Sequence, residues 1–109
     1  MDQSVAAATN GLTLDFVRAH REEILRLAAA HRASNVRIFG SVARGEANVS
    51  SDVDFLVDID STGIGGFEYF GLLEDLRRDL ESLLGHPVDV GTSLQSHARG
   101  RAMHDVVQL

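Results

Sequence analysis

Asp52-Val53-Asp54-Phe55-Leu56-Val57-Asp58-Ile59-Asp60 is the stretch that decides the fold. Val53, Phe55, Val57 and Ile59 fall on one side of an extended chain. Asp52, Asp54, Leu56, Asp58 and Asp60 fall on the other. This period-two alternation predicts a strand with one buried and one wet face. Its unusual feature is the run of carboxylates on the wet face, where like charges repel unless a cation or water absorbs them.

Outward from this strand, helical and extended segments alternate. Downstream, Ser61 to Gly66 is Gly-rich and reads as a mobile loop. Phe67 to Leu84 predicts a helix whose apolar stripe is Phe70, Leu73, Leu76, Leu80, Leu83 and Leu84. Gly85 suits a C-terminal cap, with Pro87 just beyond it. Pro87 to Gly91 predicts a third short strand, and Leu94 to Val107 a last helix of weak periodicity. Upstream, Val36 to Phe39 is rich in β-formers and is stopped by Gly40. Gly40 to Glu46 reads as a strand-to-helix turn. Thr13 to Arg32 has the helical spacing Leu14, Val17, Ile24, Leu25, Ala28, with Arg21 breaking the stripe. Thr13 suits its N-cap, and Glu22 and Arg26 are placed to pair. Residues 1–11 read as a flexible tail, leaving residues 12–109 as a single domain with no internal repeat and no linker.

Composition narrows the chemistry. A chain of 109 residues suits one domain with a modest core, hence marginal stability or a partner. No cysteine is present, which excludes disulfides, thiolate nucleophiles and Cys-based metal sites. All ten cationic residues are Arg, and the absence of Lys excludes a Walker-type phosphate loop and a Schiff base. The net charge of −6 disfavours general nucleic-acid binding. No basic leader and no apolar run of about 18 residues stands in the sequence, so a cytoplasmic protein without a membrane span is expected.

Three carboxylates stand out as chemical candidates: Asp52, Asp54 and Asp89. Asp52 and Asp54 leave the same face of a strand, with Cα atoms roughly 6.5–7 Å apart. Carboxylates at that spacing can lean together around two hard cations set about 3.5–4 Å apart. Asp89, on a neighbouring strand, would complete the cage from the side. Gly40-Ser41 supplies the complementary half. The glycine lets backbone approach a phosphate, and the following residues open a helix whose first N–H groups favour anions. An anion cradle beside a carboxylate cage suits a nucleoside triphosphate with Mg²⁺.

The run Phe39-Gly40-Ser41-Val42-Ala43-Arg44-Gly45-Glu46, followed by Ser51-Asp52-Val53-Asp54-Phe55-Leu56-Val57-Asp58, closely resembles the minimal nucleotidyltransferases of the DNA polymerase β-like superfamily. Gly85-His86-Pro87-Val88-Asp89-Val90 fits the same pattern. The resemblance implies a small mixed β-sheet flanked by helices, an α/β (α+β) class. It implies Mg²⁺-dependent transfer of a nucleoside monophosphate from a triphosphate such as ATP to a hydroxyl. Asp52 and Asp54 would hold two Mg²⁺ ions. Asp89 would hold one of them and help deprotonate the acceptor. Gly40 and Ser41 would bind the β- and γ-phosphates, with Arg44 a candidate phosphate contact. Many proteins of this type and size resemble antitoxins that transfer AMP to a tyrosine of a HEPN-domain ribonuclease toxin, so a hetero-oligomer with such a partner is expected.

Plainer readings stand beside these. Asp52 and Asp54 at a solvated strand entrance is one, weighed down by Gly40-Ser41 upstream and Asp89 downstream. Asp58 and Asp60 read as solvated. Arg44 either touches phosphate or pairs with Asp52 or Glu46. His20, His31, His86, His97 and His104 lack zinc spacing and read as surface residues. Gly63 to Gly66 does not follow a dinucleotide-binding strand pattern. Phe67, Tyr69 and Phe70 read as core and helix-start residues, and Arg77-Arg78 as a wet or partner-facing helix side. Three functions remain open: a transferase acting on a partner protein, a non-catalytic module that neutralises a partner by binding, and a transferase acting on a small molecule.

Overall fold

The computed structural model describes residues 12–48, 51–92 and 106–109. The elements are α1 (Leu14–Arg18), α2 (Arg21–Ala30), β1 (Ala33–Phe39), α3 (Ser41–Arg44), β2 (Val53–Ile59), α4 (Gly66–Leu84), β3 (Val88–Thr92) and β4 (Val107–Gln108). The strands form one sheet in the order β3-β2-β1-β4. β2 runs parallel to β3 and antiparallel to β1, and β4 runs antiparallel to β1. The sheet is mixed and flanked by helices, as expected.

The apolar face of β2 builds the core. Val53, Phe55 and Val57 are buried with Val36 and Ile38 of β1 and Val88 of β3. Ile24 and Ala28 of α2 and Leu73, Leu76, Leu80 and Leu84 of α4 cover that face. The predicted α4 stripe is therefore right at its leucines. It fails at Phe70, which is 61% exposed, and Phe67 is 99% exposed. In the first turns of α4 only Tyr69 turns inward, partly buried against the core as expected, while Phe67 and Phe70 lie on the outward side. Gly85 closes α4 in the left-handed conformation, with its N–H on the Glu81 carbonyl.

Several sequence expectations are corrected. The single helix over residues 13–32 is two helices. Thr13 caps the first as expected, accepting from Phe16 N–H at 3.0 Å. The break falls at Ala19-His20, where the His20 Nδ1 bonds the Phe16 carbonyl at 3.0 Å and the backbone leaves helical geometry. Among the described residues no ion pair links Glu22 to Arg26. Strand β1 starts three residues early, at Ala33, and carries an irregularity between Ser34 and Arg37 where Asn35 takes φ 53°. Asn is among the non-glycine residues that enter that conformation most readily, and its amide is held across the sheet by Asp58 and Gln108. Of the last predicted helix, residues 94–105 lie outside the described residues, as does the tail 1–11. Its final residue, Val107, is in a strand, because the outer edge of β1 offers unpaired backbone groups that Val107 and Gln108 satisfy. The Ser61–Gly66 loop is tied in its first half. Arg32 donates to the Asp60 and Thr62 carbonyls at 3.2 and 2.8 Å, and the Asp60 carboxylate accepts from Thr62 N–H at 3.1 Å.

Candidate active site

The chain direction in the sheet brings the candidate residues to one end. β1 ends where β2 and β3 begin, because β1 is antiparallel to β2 while β3 is parallel to it. Phe39 is opposite Asp54, and Asp54 is opposite Asp89. Asp54 and Asp89 thus stand side by side on the face away from the helices, on strands about 4.8 Å apart. Asp52 precedes β2 by one residue and is exposed. Among the described residues no three carboxylates or imidazoles close around a common point. The chemistry of the set nevertheless suits a hard divalent cation. Its donors are carboxylate oxygens, and two of them share neighbouring register positions where like charges disfavour one another without a counter-charge.

Gly40 is required by this geometry. Its φ of 78° and ψ of −152° lie in a region open essentially to glycine alone. A Cβ there would overlap the Asp54 Oδ2 and sit 3.3 Å from the Asp54 Cγ. The bare backbone of the turn is therefore packed on the carboxylate. Ser41 opens the four-residue α3, which is held by Arg44 N–H on the Gly40 carbonyl at 3.1 Å and Glu46 N–H on the Ser41 carbonyl at 2.8 Å. Val42 is buried in the core and anchors the turn from below. Arg44 resolves toward the pairing alternative at one of its contacts: its Nε donates to Glu46 at 2.9 Å.

The other wall is set by Glu81, which no motif or spacing in the sequence singles out. Its Oε2 accepts from Val88 N–H at 3.0 Å and pairs with Arg77 at 2.8 Å. Val53 N–H meanwhile reaches the Pro87 carbonyl at 2.9 Å. These two bonds fix the start of β3 against the start of β2, and so fix Asp89 beside Asp54. A Glu in the last turn of a helix carries no signal of this, since its partner lies beyond the cap.

The remaining wet-face residues are more structured than expected. Asp58 is not simply solvated: it accepts from Arg37 Nη2 and from Asn35 Nδ2, both at 2.9 Å. Asp60 is held below the usual carboxylate range by its hydrogen bonds from Thr62, with Arg32 adding to the effect. Leu56 lies on the same face yet is 1% exposed, between its register partners Arg37 and Gly91. His20, His31 and His86 are half-buried, and His31 bonds the Leu27 carbonyl at 2.8 Å. His97 and His104 lie outside the described residues. Arg77 and Arg78 both pair with Glu74, which makes that helix side a salt-bridged surface.

Comparison with known proteins decides the lineage. The model of the nucleotidyltransferase domain family matches residues 17–106. This chain belongs to the nucleotidyltransferase domain family. It is similar to MntA of Thermococcus cleftensis, named a protein adenylyltransferase, at 36% identity over 98 residues, covering 79% of this chain and 92% of that one. It is also similar to the MJ1379 protein of Methanocaldococcus jannaschii, named for the same activity, at 37% identity over 82 residues, covering 70% and 78%. A solved structure described as a minimal nucleotidyltransferase superposes with a TM-score of 0.65 at 37% identity, covering 89% of this chain and 96% of that one. The chain is thus a nucleotidyltransferase, with the sheet end at Gly40, Asp54 and Asp89 as its candidate centre. No helix among the described residues is long and apolar enough to cross a membrane.

Proposed function

We propose that this nucleotidyltransferase is a Mg²⁺-dependent protein adenylyltransferase, moving AMP from ATP to a tyrosine hydroxyl of a HEPN-domain ribonuclease and so acting as its antitoxin. The observation that carries the reading is the packing of the Gly40 turn on Asp54 with Asp89 in register beside it. The names of the relatives support a protein acceptor. Asp54 and Asp89, joined by Asp52, would hold Mg²⁺, which when bound neutralises phosphate charge in the in-line displacement. The Gly40 and Ser41 backbone would position the β- and γ-phosphates, and Arg44 would contact phosphate from the same turn. Asp89 would accept the proton of the attacking hydroxyl. The bond from that oxygen to the α-phosphorus forms as the bond to pyrophosphate breaks. Holding the two reactants in line at this sheet end is the main gain.

The test is to mix the protein with the HEPN-domain partner, Mg²⁺ and ATP labelled on the α-phosphate, beside Asp54→Ala. Label on the partner, lost in the variant and mapped to tyrosine, is the expected result. A tight complex without label would replace this reading by a non-catalytic binder. Neither label nor complex would move the acceptor to a small molecule.

A further inference from the structure

We propose that the outward side of the first turns of α4, formed by Phe67, Phe70 and Gly71, is the docking surface for the acceptor protein. The segment it fits is one that sets a bulky apolar side chain against Gly71 and Arg or Lys residues against Glu68 and Asp75. This rests on the reading that the acceptor is a protein, and it adds where and by what chemistry that protein is held.

Three features of one helix side are not accounted for by packing among the described residues, where the Phe70 ring meets only the edge of Tyr69 at 5.4 Å between centroids. Phe67 is 99% exposed and Phe70 61%, and they are the exposed large hydrophobics among the described residues. Phe67 points away from Leu73, Leu76 and Leu80, so no small rearrangement of the helix buries it. Gly71 sits inside the helix, four residues after Phe67 and hence on the same side. A Cβ placed there meets nothing within 4 Å, so no neighbour among the described residues requires a glycine. Glycine is a poor helix residue, and exposed aromatics are disfavoured in water. A bare patch of helix backbone bordered by two rings is what close approach of another chain uses, and aromatics are enriched at such contacts.

Charge selects the occupant. Glu68 and Asp75 flank the patch, are exposed, and form no ion pair among the described residues, whereas Glu74 is held by Arg77 and Arg78. A second copy of this chain would bring acid against acid across a two-fold contact. A basic-rimmed apolar segment of another protein meets both requirements. The patch also follows the loop that leaves β2 at Ile59, the end opposite Asp54, and the run from Asp54 to Ile59 alone spans about 17 Å, so docking there leaves the Gly40–Asp89 end open to nucleotide.

The experiment measures the Kd of the full chain for the HEPN-domain protein by calorimetry, with ATP binding and light scattering alongside. Phe67→Ala/Phe70→Ala should weaken the complex at least tenfold and leave ATP binding unchanged. Gly71→Leu should raise Tm, because it improves the helix, yet weaken the complex as strongly. That pairing separates docking from folding. Glu68→Arg/Asp75→Arg should weaken the complex and flatten its dependence on NaCl. Asp54→Ala should leave docking intact, so a complex sensitive to Phe67 but unlabelled by ATP would refute the transferase reading while supporting this one. An unchanged Kd in the Phe67→Ala/Phe70→Ala variant, no complex with the wild-type chain, or a homodimer that the same variant dissolves would each overturn the proposal.

Discussion

Replacing Gly40 by alanine isolates the contact on which the site is built. Two costs arise together. The backbone at φ 78°, ψ −152° disfavours any Cβ by about 1–3 kcal/mol. The new methyl also overlaps the Asp54 Oδ2, so the carboxylate must swing aside. For a domain of this size about 1–3 kcal/mol lowers Tm by roughly 5–20 °C. A displacement near 1 Å at a reacting group costs on the order of 100-fold in rate. Gly45→Ala is the control. Gly45 is also left-handed, at φ 75°, ψ 24°, but a Cβ there meets nothing within 4 Å, so it should cost about 1–2 kcal/mol and leave transfer unchanged. The decisive assay is a double-mutant cycle. The Asp54 Cβ would sit 3.6 Å from the new methyl, an ordinary contact, so in an Asp54→Ala background Gly40→Ala should cost the backbone part alone. Thermal melts of the four proteins give the coupling, and labelled AMP transfer by the single variant gives the functional loss. Equal destabilisation with and without the Asp54 carboxylate, or wild-type transfer by Gly40→Ala, would refute the argument.

Asp89→Asn should abolish detectable AMP transfer while Tm stays level or rises, since one of two neighbouring carboxylates is removed; a melt beside the labelling assay checks both. Glu81→Ala strips the acceptor from Val88 N–H and should cost about 1–2 kcal/mol and slow transfer through a looser Asp89, with Glu81→Gln restoring most of both. The Asp60 carboxyl is held below its ordinary value of 3.8, so its contribution is present above that pH and lost as pH falls through the lower folded value. Protection of the Thr62 amide from hydrogen exchange should therefore fade on acidification, and Asp60→Asn should remove that dependence. Leu76→Ala, at a fully buried core position, should destabilise by about 2–5 kcal/mol in a denaturant titration.

What the sequence made legible is what rests on local pattern. The alternation of β2 placed Val53, Phe55 and Val57 in the core, and the stripe of α4 gave its limits to within one residue. Gly85 marked the helix end because a left-handed cap there suits glycine. The features that escaped depend on partners far along the chain. β4 exists because β1 has an open edge, which no property of Val107 announces. Asp58 looked solvated because Arg37 and Asn35, which hold it, lie 21 and 23 residues away. The break before Arg21 is the local exception: it coincides with the His20 imidazole on the Phe16 carbonyl, only four residues away, a contact that the apolar spacing does not announce.

Asp89 shows how a distant residue can still be placed by length. From Asp54 the chain runs up β2 to Ile59 and must return to the same end for Asp89 to stand beside it. The 19 residues of α4 span about 28 Å, against about 23 Å for the seven residues of β2. The helix is thus long enough to bring the chain back past the start of the strand, where Gly85 turns it and Glu81 seizes Val88. The pairing Val53 with Val88 follows, and with it Asp54 beside Asp89. Because side chains alternate, register is as demanding as distance. A single residue inserted between Pro87 and Val88 would turn Asp89 toward the leucines of α4 and Val88 toward water. The buried Val88, locked by its backbone bond to Glu81, resists that slip. The core therefore selects the register that the carboxylates need, and the fold and the site are specified by the same residues.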